Sequence, residues 1–250
     1  MQPILNISAY LFVSLFDTGA LRESIRSQAS ARQLKGTVLL AEEGINLFLA
    51  GQAVEVRGFL DWLQTDPRFK PLTPKESYTT SVPFKKLLVK VKPEIIRMNH
   101  PTIRPAALRA PAVDAKTLAR WLRTGQDDAG QTVVMLDTRN SFEVAHGSFS
   151  NAVHWNLSKF SDFAAAALAH AAELEGKTVV SYCTGGIRCE KAALFMAQAG
   201  MHNVLQLDGG ILKYFEEAGS EHFEGTCFVF DEREALNGNL SAVGSRETAL

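Results

Sequence analysis

The spacing of apolar residues along the chain switches between the two-residue period of strands and the 3.6-residue period of helices. Ile4–Phe16 predicts a strand, and Gly19–Leu34 a helix with Leu21, Ile25 and Ala29 on one face. Gly36–Glu42 and Ile45–Ala50 read as a hairpin turning at Glu43-Gly44. Val54–Gln64 reads as a second helix carrying Val56, Leu60 and Leu63. Strands near Glu76–Val82 and Leu87–Lys92 follow. The order β-α-β-β-α-β is the ferredoxin-like α/β plan, whose sheet hides one face beneath its helices and leaves the other for binding.

Between Pro93 and Val113 periodicity fades and Pro101, Pro105 and Pro111 appear, which marks an inter-domain joint. Beyond it, helices and strands alternate. Helices are predicted at Asp114–Arg123, Ser141–His146, Ser161–Leu174, 188–199 and Ile211–Ala218. Strands are predicted at Thr132–Asp137, Ala152–Asn156, 178–182 and Asn203–Leu207. This order predicts a parallel sheet covered on both faces, with ligand chemistry at the C-terminal strand ends. The expected organisation is therefore a domain at 1–93, a Pro-rich linker at 94–112, a second domain at 113–222, and a C-terminal strand with a loose tail at 223–250.

A composition of 46% hydrophobic and 21% charged residues fits an ordinary globular protein. The apolar N-terminal run lacks a positive leader and a small-residue cleavage pattern, and no apolar stretch is long enough to span a bilayer. Three cysteines, Cys183, Cys189 and Cys227, without framework spacing, point to a reducing cytoplasm. The net charge of −1 conceals two opposite halves: residues 1–110 carry 15 Lys and Arg against 9 Asp and Glu, and the remainder 11 against 18. A basic first module implies an anionic partner.

The densest chemistry lies in Cys183-Thr184-Gly185-Gly186-Ile187-Arg188, between the apolar run 178–182 and the helix that follows. A cysteine at a strand end, wrapped by a glycine-bearing loop that opens a helix, is placed to be a thiolate. The N–H groups of Thr184, Gly185, Gly186 and Ile187, the helix dipole and the Arg188 charge all stabilise negative sulfur. Cys183 and Arg188 are the expected catalytic pair. Cys189 falls at about the second turn of the helix, where helix geometry points it away from the loop centre. It reads either as a thiol that resolves an oxidised Cys183 or as an inert packing residue.

This loop, with Leu136-Asp137-Thr138-Arg139, Glu143 and Leu207-Asp208-Gly209-Gly210-Ile211, resembles a rhodanese domain over roughly residues 113–222. The resemblance implies a cysteine able to carry sulfur as a persulfide, and mainly structural roles for Arg139 and Glu143. Cysteine-based phosphatases have a longer loop sized for phosphate; here four residues separate Cys183 from Arg188. Taken with Ala41-Glu42-Glu43-Gly44-Ile45-Asn46 and the stretch Pro83–Ile96, the chain resembles the bacterial tRNA uridine hydroxylase family. Two departures are Leu47-Phe48, where relatives often have Gly-Thr, and a cysteine-bearing C-terminal extension that many relatives carry. The resemblance implies oxygen-dependent conversion of the tRNA wobble uridine to 5-hydroxyuridine. O2 and an electron donor are its co-substrates, tRNA is the partner, and no other cofactor is evident.

The basic stretch supplies the matching surface. Lys86, Lys90 and Lys92 share one face of an alternating strand, and Lys85 and Arg97 flank it; these five are the expected RNA-binding residues, through phosphates rather than bases. Phe84, Tyr182 and Trp155 are the aromatic candidates for stacking a flipped uridine. No metal site is expected: the lone H-x-E, at His222-Phe223-Glu224, has no companion motif. The chemical role of Cys183 stays open between addition to C6 of the pyrimidine and carriage of a persulfide or sulfenate. Two further readings remain: a sulfurtransferase carrying sulfane sulfur on Cys183, and a catalytically idle tRNA-binding module.

Overall fold

The computed structural model describes residues 3–243, which fall into two compact units: the first holds the chain up to Ile96 together with Asp231–Arg233, and the second holds Arg97–Phe230 and the chain from Glu234 on. The first unit runs β1 (Ile4–Phe12), α1 (Thr18–Ala31), β2 (Lys35–Ala41), β3 (Gly44–Gln52), α2 (Ala53–Leu63), β4 (Lys75–Thr79) and β5 (Leu87–Val91). Its sheet has the order β4-β1-β3-β2-β5. The first four strands pair antiparallel, as a split βαβ fold requires, and β5 adds parallel to β2 at the edge. Strand alternation sends Leu5, Ile7, Val38, Leu40, Leu47, Leu49 and Val89 to one face, where they meet Ile25 and Ala29 of α1 and Val56, Phe59 and Leu60 of α2.

The second unit contains β6 (Ala112–Val113), α3 (Ala115–Thr124), β7 (Val133–Asp137), α4 (Ser141–Val144), β8 (Gly147–Phe149), β9 (Val153–His154), α5 (Phe163–Ala169), β10 (Thr178–Tyr182), α6 (Ile187–Gln198), β11 (Val204–Leu207), α7 (Gly210–Ala218), β12 (Phe223–Gly225), β13 (Cys227–Phe228) and β14 (Ala235–Leu236). Five strands form a parallel sheet in the order β6-β11-β10-β7-β9. The central strand β10 is buried along its whole length; Val179, Val180 and Tyr182 fill the core, and the hydroxyls of Thr178 and Ser181 are satisfied by Asp127 and by Leu205 O. Asp114 starts α3 by accepting from the N–H groups of Lys116 and Thr117, each at 3.0 Å, and Gly125 ends it in the left-handed region.

One expectation needs correction. The helix predicted over Ser161–Leu174 is broken: α5 stops at Ala169, His170 stacks on Trp155, and a separate 3₁₀ turn covers Ala171–Leu174. The 94–112 segment contains the boundary between the units and is anchored at its start. Glu43 Oε1 accepts from the Ile95 N–H at 2.8 Å and Asn46 Nδ2 donates to Ile95 O, while Met98 and Ile103 are buried. This clamp accounts for Glu43 and Asn46 in the hairpin motif. The stretch from Asp231 makes specific contacts. Arg233 pairs with Asp231 and donates to Ser77 Oγ at 2.7 Å, and β14 pairs with β13 and buries Leu236. Residues 244–250 lie outside the described residues.

Candidate active site

Cys183 follows directly on β10, where the chain leaves the sheet and turns into α6. Gly186 caps that helix with φ +98°, a left-handed conformation that aims its N–H back into the loop, and this N–H donates to Cys183 Sγ at 3.1 Å. A second helix braces the loop from outside. In the first turn of α7, Ile211 N–H donates to Cys183 O at 3.0 Å and Leu212 N–H to Thr184 O at 3.1 Å. Such an approach leaves no room for a side chain at Gly210. A Cβ there would sit 2.4 Å from Cys183 O and 2.7 Å from Gly186 N, and φ is +67°. The Gly209-Gly210 pair singled out in the sequence is thus part of the cysteine loop's support.

Arg188 lies in the first turn of α6, and its guanidinium is held by Glu143 from α4 at two points, Nη1 to Oε2 at 2.5 Å and Nη2 to Oε1 at 2.6 Å. Glu143 also accepts from the Asn140 N–H at 3.2 Å, and Thr184 Oγ1 lies 3.4 Å from Glu143 Oε1 and from Phe228 O. One carboxylate therefore ties α4, the cysteine loop and α6 together. Arg139 is fully buried against Asp137 and donates to Gly147 O at 2.6 Å, so its charge is spent within the fold. The Asp208 carboxylate, one residue before Gly209, is held by Lys213 at 2.5 Å and Arg109 at 2.7 Å.

Burial alone would raise the Cys183 thiol pKa. A hydrogen bond from the Cys189 thiol, the Arg188 charge and backbone N–H groups of α6 outweigh it and hold Cys183 well below the usual thiol range. Cys189 is pushed the other way, by burial and by the adjacent Cys183 sulfur, and stays protonated. The Cys189 Sγ lies 3.0 Å from Gly186 O, the competing acceptor for its single S–H. The expectation that Cys189 points away from the loop is therefore wrong. α6 begins at Ile187, which puts Cys189 in the first turn, and helical side chains tilt back toward the N-terminus. Cys227 is inert by comparison, its pKa pushed up to about 12 by burial.

The loop residues Thr184, Gly185, Gly186 and Ile187 thus surround Cys183, with Gly186 as the donor to sulfur and Thr184 as an acceptor for α7. Lys85, Lys86, Lys90 and Lys92 are all exposed, at and beside β5 in the first unit, and Lys85 lies 3.8 Å from Glu232. Arg97 falls instead in the second unit, where Nε donates to Asn99 Oδ1 at 3.0 Å. Among the stacking candidates, Tyr182 is fully buried against Phe149, and Trp155 is occupied by His170. Among the described residues, no three His, Cys, Asp or Glu side chains converge as metal ligands, and no helix is long and apolar enough to cross a membrane. Sequence reasoning missed an aromatic cluster, the exposed Phe142 and Phe230 with Phe228, whose Phe230 ring faces the Arg188 guanidinium.

Residues 4–95 match the UPF0176 acylphosphatase like domain and residues 118–217 the rhodanese-like domain. The tRNA uridine(34) hydroxylase of Bordetella pertussis is 60% identical over 96% of this chain and 99% of its own. That of Variovorax paradoxus is 59% identical over 97% of this chain and 92% of its own, and that of Cupriavidus necator 58% over 98% and 87%. With this identity along nearly the full length of both partners, the chain belongs to the tRNA uridine(34) hydroxylase family.

Proposed function

We propose that this protein is a tRNA-modifying oxidoreductase that hydroxylates C5 of the wobble uridine, with Cys183 as its essential sulfur. The observation that carries the reading is the Gly186 N–H at 3.1 Å from a Cys183 sulfur whose pKa is lowered, in a chain so close to named hydroxylases. Replacing C5–H by C5–OH takes one atom of O2; the other leaves as water with two electrons and two protons from a donor. A thiolate serves this chemistry either by adding to C6, which moves electron density to C5, or by carrying the oxidised sulfur that delivers oxygen. Arg188 acts here as the charge that keeps the sulfur ionised, and Glu143 as the group that positions Arg188.

In this reading residues 113–222 are the chemical domain and residues 1–93 the tRNA-binding domain, joined through 94–112, and the protein works in the cytoplasm alongside its substrate. The exposed Lys85, Lys86, Lys90 and Lys92 contact phosphates, with Arg97 adding a cation from the second unit. The relatives' names lend no weight to the sulfurtransferase alternative. Nucleoside mass spectrometry of tRNA from a deletion strain complemented with Cys183→Ser is the test. Loss of 5-hydroxyuridine supports the reading, and undiminished 5-hydroxyuridine removes Cys183 from the chemistry.

A further inference from the structure

Phe142, Phe228 and Phe230 form an aromatic corner, and its Phe230 ring faces the Arg188 guanidinium. Their rings are close to mutually perpendicular: Phe142 lies 5.2 Å from Phe228 at 90° and 6.4 Å from Phe230 at 87°, and Phe228 lies 5.2 Å from Phe230 at 86°. The His146 ring adds to the cluster 5.1 Å from Phe228. Aromatic rings packed edge to face usually belong to a core, as Phe149 and Phe223 do in this same unit. Here Phe142 is 48% exposed and Phe230 51% exposed. Two half-exposed phenylalanines in mutual contact form a patch, which marks a binding surface more than scattered single residues do.

Covalent and hydrogen-bonded links tie this patch to the cysteine loop. Phe142 precedes Glu143, the two-point partner of Arg188, and Phe228 O lies 3.4 Å from Thr184 Oγ1. The Phe230 ring centroid lies 6.0 Å from the Arg188 guanidinium carbon, so the same cation that faces the Cys183 sulfur also faces this ring. The patch therefore borders the place where, on the proposed reading, a reacting base must be held. A base at position 34 lies in a single-stranded loop, where recognition works by splaying the base out and stacking it on aromatic side chains. The surface around the loop offers flat apolar rings backed by a cation, which suits the face of a nucleobase better than a phosphate.

The geometry points to Phe142 and Phe230 as the aromatic corner that receives the flipped uridine beside Cys183, one ring stacking on the face of the base and the other meeting its edge; this corner is the stacking platform. This assignment rests on the tRNA hydroxylase reading. Stacking tolerates any base, so the platform holds the base while other groups choose uridine. It also gives roles to two residues that neither the cysteine motif nor the basic strand includes.

The test uses the full-length protein and an anticodon stem-loop RNA with uridine or the fluorescent pyrimidine pyrrolocytosine at position 34. Wild-type protein quenches the fluorophore on binding. Phe142→Leu and Phe230→Leu, which keep apolar bulk but remove the ring, lose the quenching and raise KM for the uridine RNA about tenfold. Phe142→Tyr and Phe230→Tyr, which keep a ring, restore both. Unquenched fluorescence with bound wild-type protein overturns the platform, and so does an unchanged KM in both leucine variants while 5-hydroxyuridine still forms. A wild-type dimer that dissociates in the leucine variants at unchanged KM assigns the patch to a second copy, which also overturns it. Failure of wild-type protein to form 5-hydroxyuridine with O2 and an electron donor overturns the underlying reading and the platform with it.

Discussion

Glu143 grips Arg188 through both carboxylate oxygens, at 2.5 and 2.6 Å, across 45 residues of sequence and with both side chains almost wholly withdrawn from solvent. The geometry is the fork-on-fork arrangement that guanidinium and carboxylate form best. Its value to the protein is positional: it fixes the cation that faces Cys183 and links α4 to the start of α6.

Removing one partner of such a pair leaves a buried charge uncompensated. Glu143→Ala is expected to cost about 3–5 kcal/mol of stability in urea unfolding of the whole chain. The double variant Glu143→Leu with Arg188→Met is expected to lose less stability than Glu143→Ala while abolishing 5-hydroxyuridine formation. A double variant that retains activity would show that the Arg188 charge has no part in the chemistry.

Gly210→Ala tests the brace from α7. The added Cβ meets the backbone of Cys183 and Gly186, not a side chain that can swing aside. The loop must shift by a large fraction of an ångström, and the left-handed φ adds strain of about 1 kcal/mol or more. Activity is expected to fall by two orders of magnitude or so, as small misplacements of a reacting group do, while circular dichroism stays native. Full activity in a folded Gly210→Ala protein would separate α7 from the site.

The paired cysteines give a pH signature. Because the Cys183 pKa is lowered in the folded state, its thiolate persists well below the pH at which an ordinary thiol protonates. Its contribution to stability is fully present above the unfolded thiol pKa and is lost as pH falls through the depressed value. Cys189, raised, behaves oppositely: its contribution is present below the unfolded value and lost as pH rises through the folded one. The measurement is alkylation of Cys183, followed by mass spectrometry across pH. Cys189→Ala removes the S–H donor and should move the Cys183 profile to higher pH, whereas Cys189→Ser keeps a donor and should move it less. Identical profiles in wild type and Cys189→Ala would rule out a hydrogen bond from Cys189 to the Cys183 sulfur.

Much of this arrangement was legible before any coordinates. Local periodicity carried the element order of the first unit and the longer helices and strands of the second, because amphipathic helices and buried strands leave their spacing in the chain; the two- and three-residue strands β6 and β8 are too short to leave one. The cysteine loop was legible because its chemistry is written in consecutive residues, from Cys183 to Arg188. What stayed hidden depends on residues far apart. Nothing between residues 143 and 188 announces that Glu143 will close on Arg188, and Phe230 lies in a stretch without periodicity that read as the edge of a loose tail. Cys189 is illegible for a local reason: the start of α6 at Ile187 decides whether its thiol reaches the loop, and spacing fixes a helix boundary only to within a residue or two. The flanking glycines were visible, but their purpose appeared only with Gly210 set against the carbonyl of Cys183.

The basic strand yields the remaining prediction. Lys86, Lys90 and Lys92 extend from an edge strand into solvent and Lys85 lies next to them, so their loss should leave the first unit's core, built from Leu5, Ile7, Leu47 and their neighbours, intact. If each neutralises one tRNA phosphate, replacing all four with alanine flattens the slope of log affinity against log salt by about three to four. Affinity should fall for every tRNA alike, since phosphate contacts do not read sequence. KM for tRNA should rise with little change in kcat, the reverse of the pattern expected for Gly210→Ala. Filter binding of several tRNAs across a salt series measures the slope. An unchanged slope in the fourfold variant would move the tRNA-binding surface elsewhere on the molecule and leave these lysines as an ordinary solvated face.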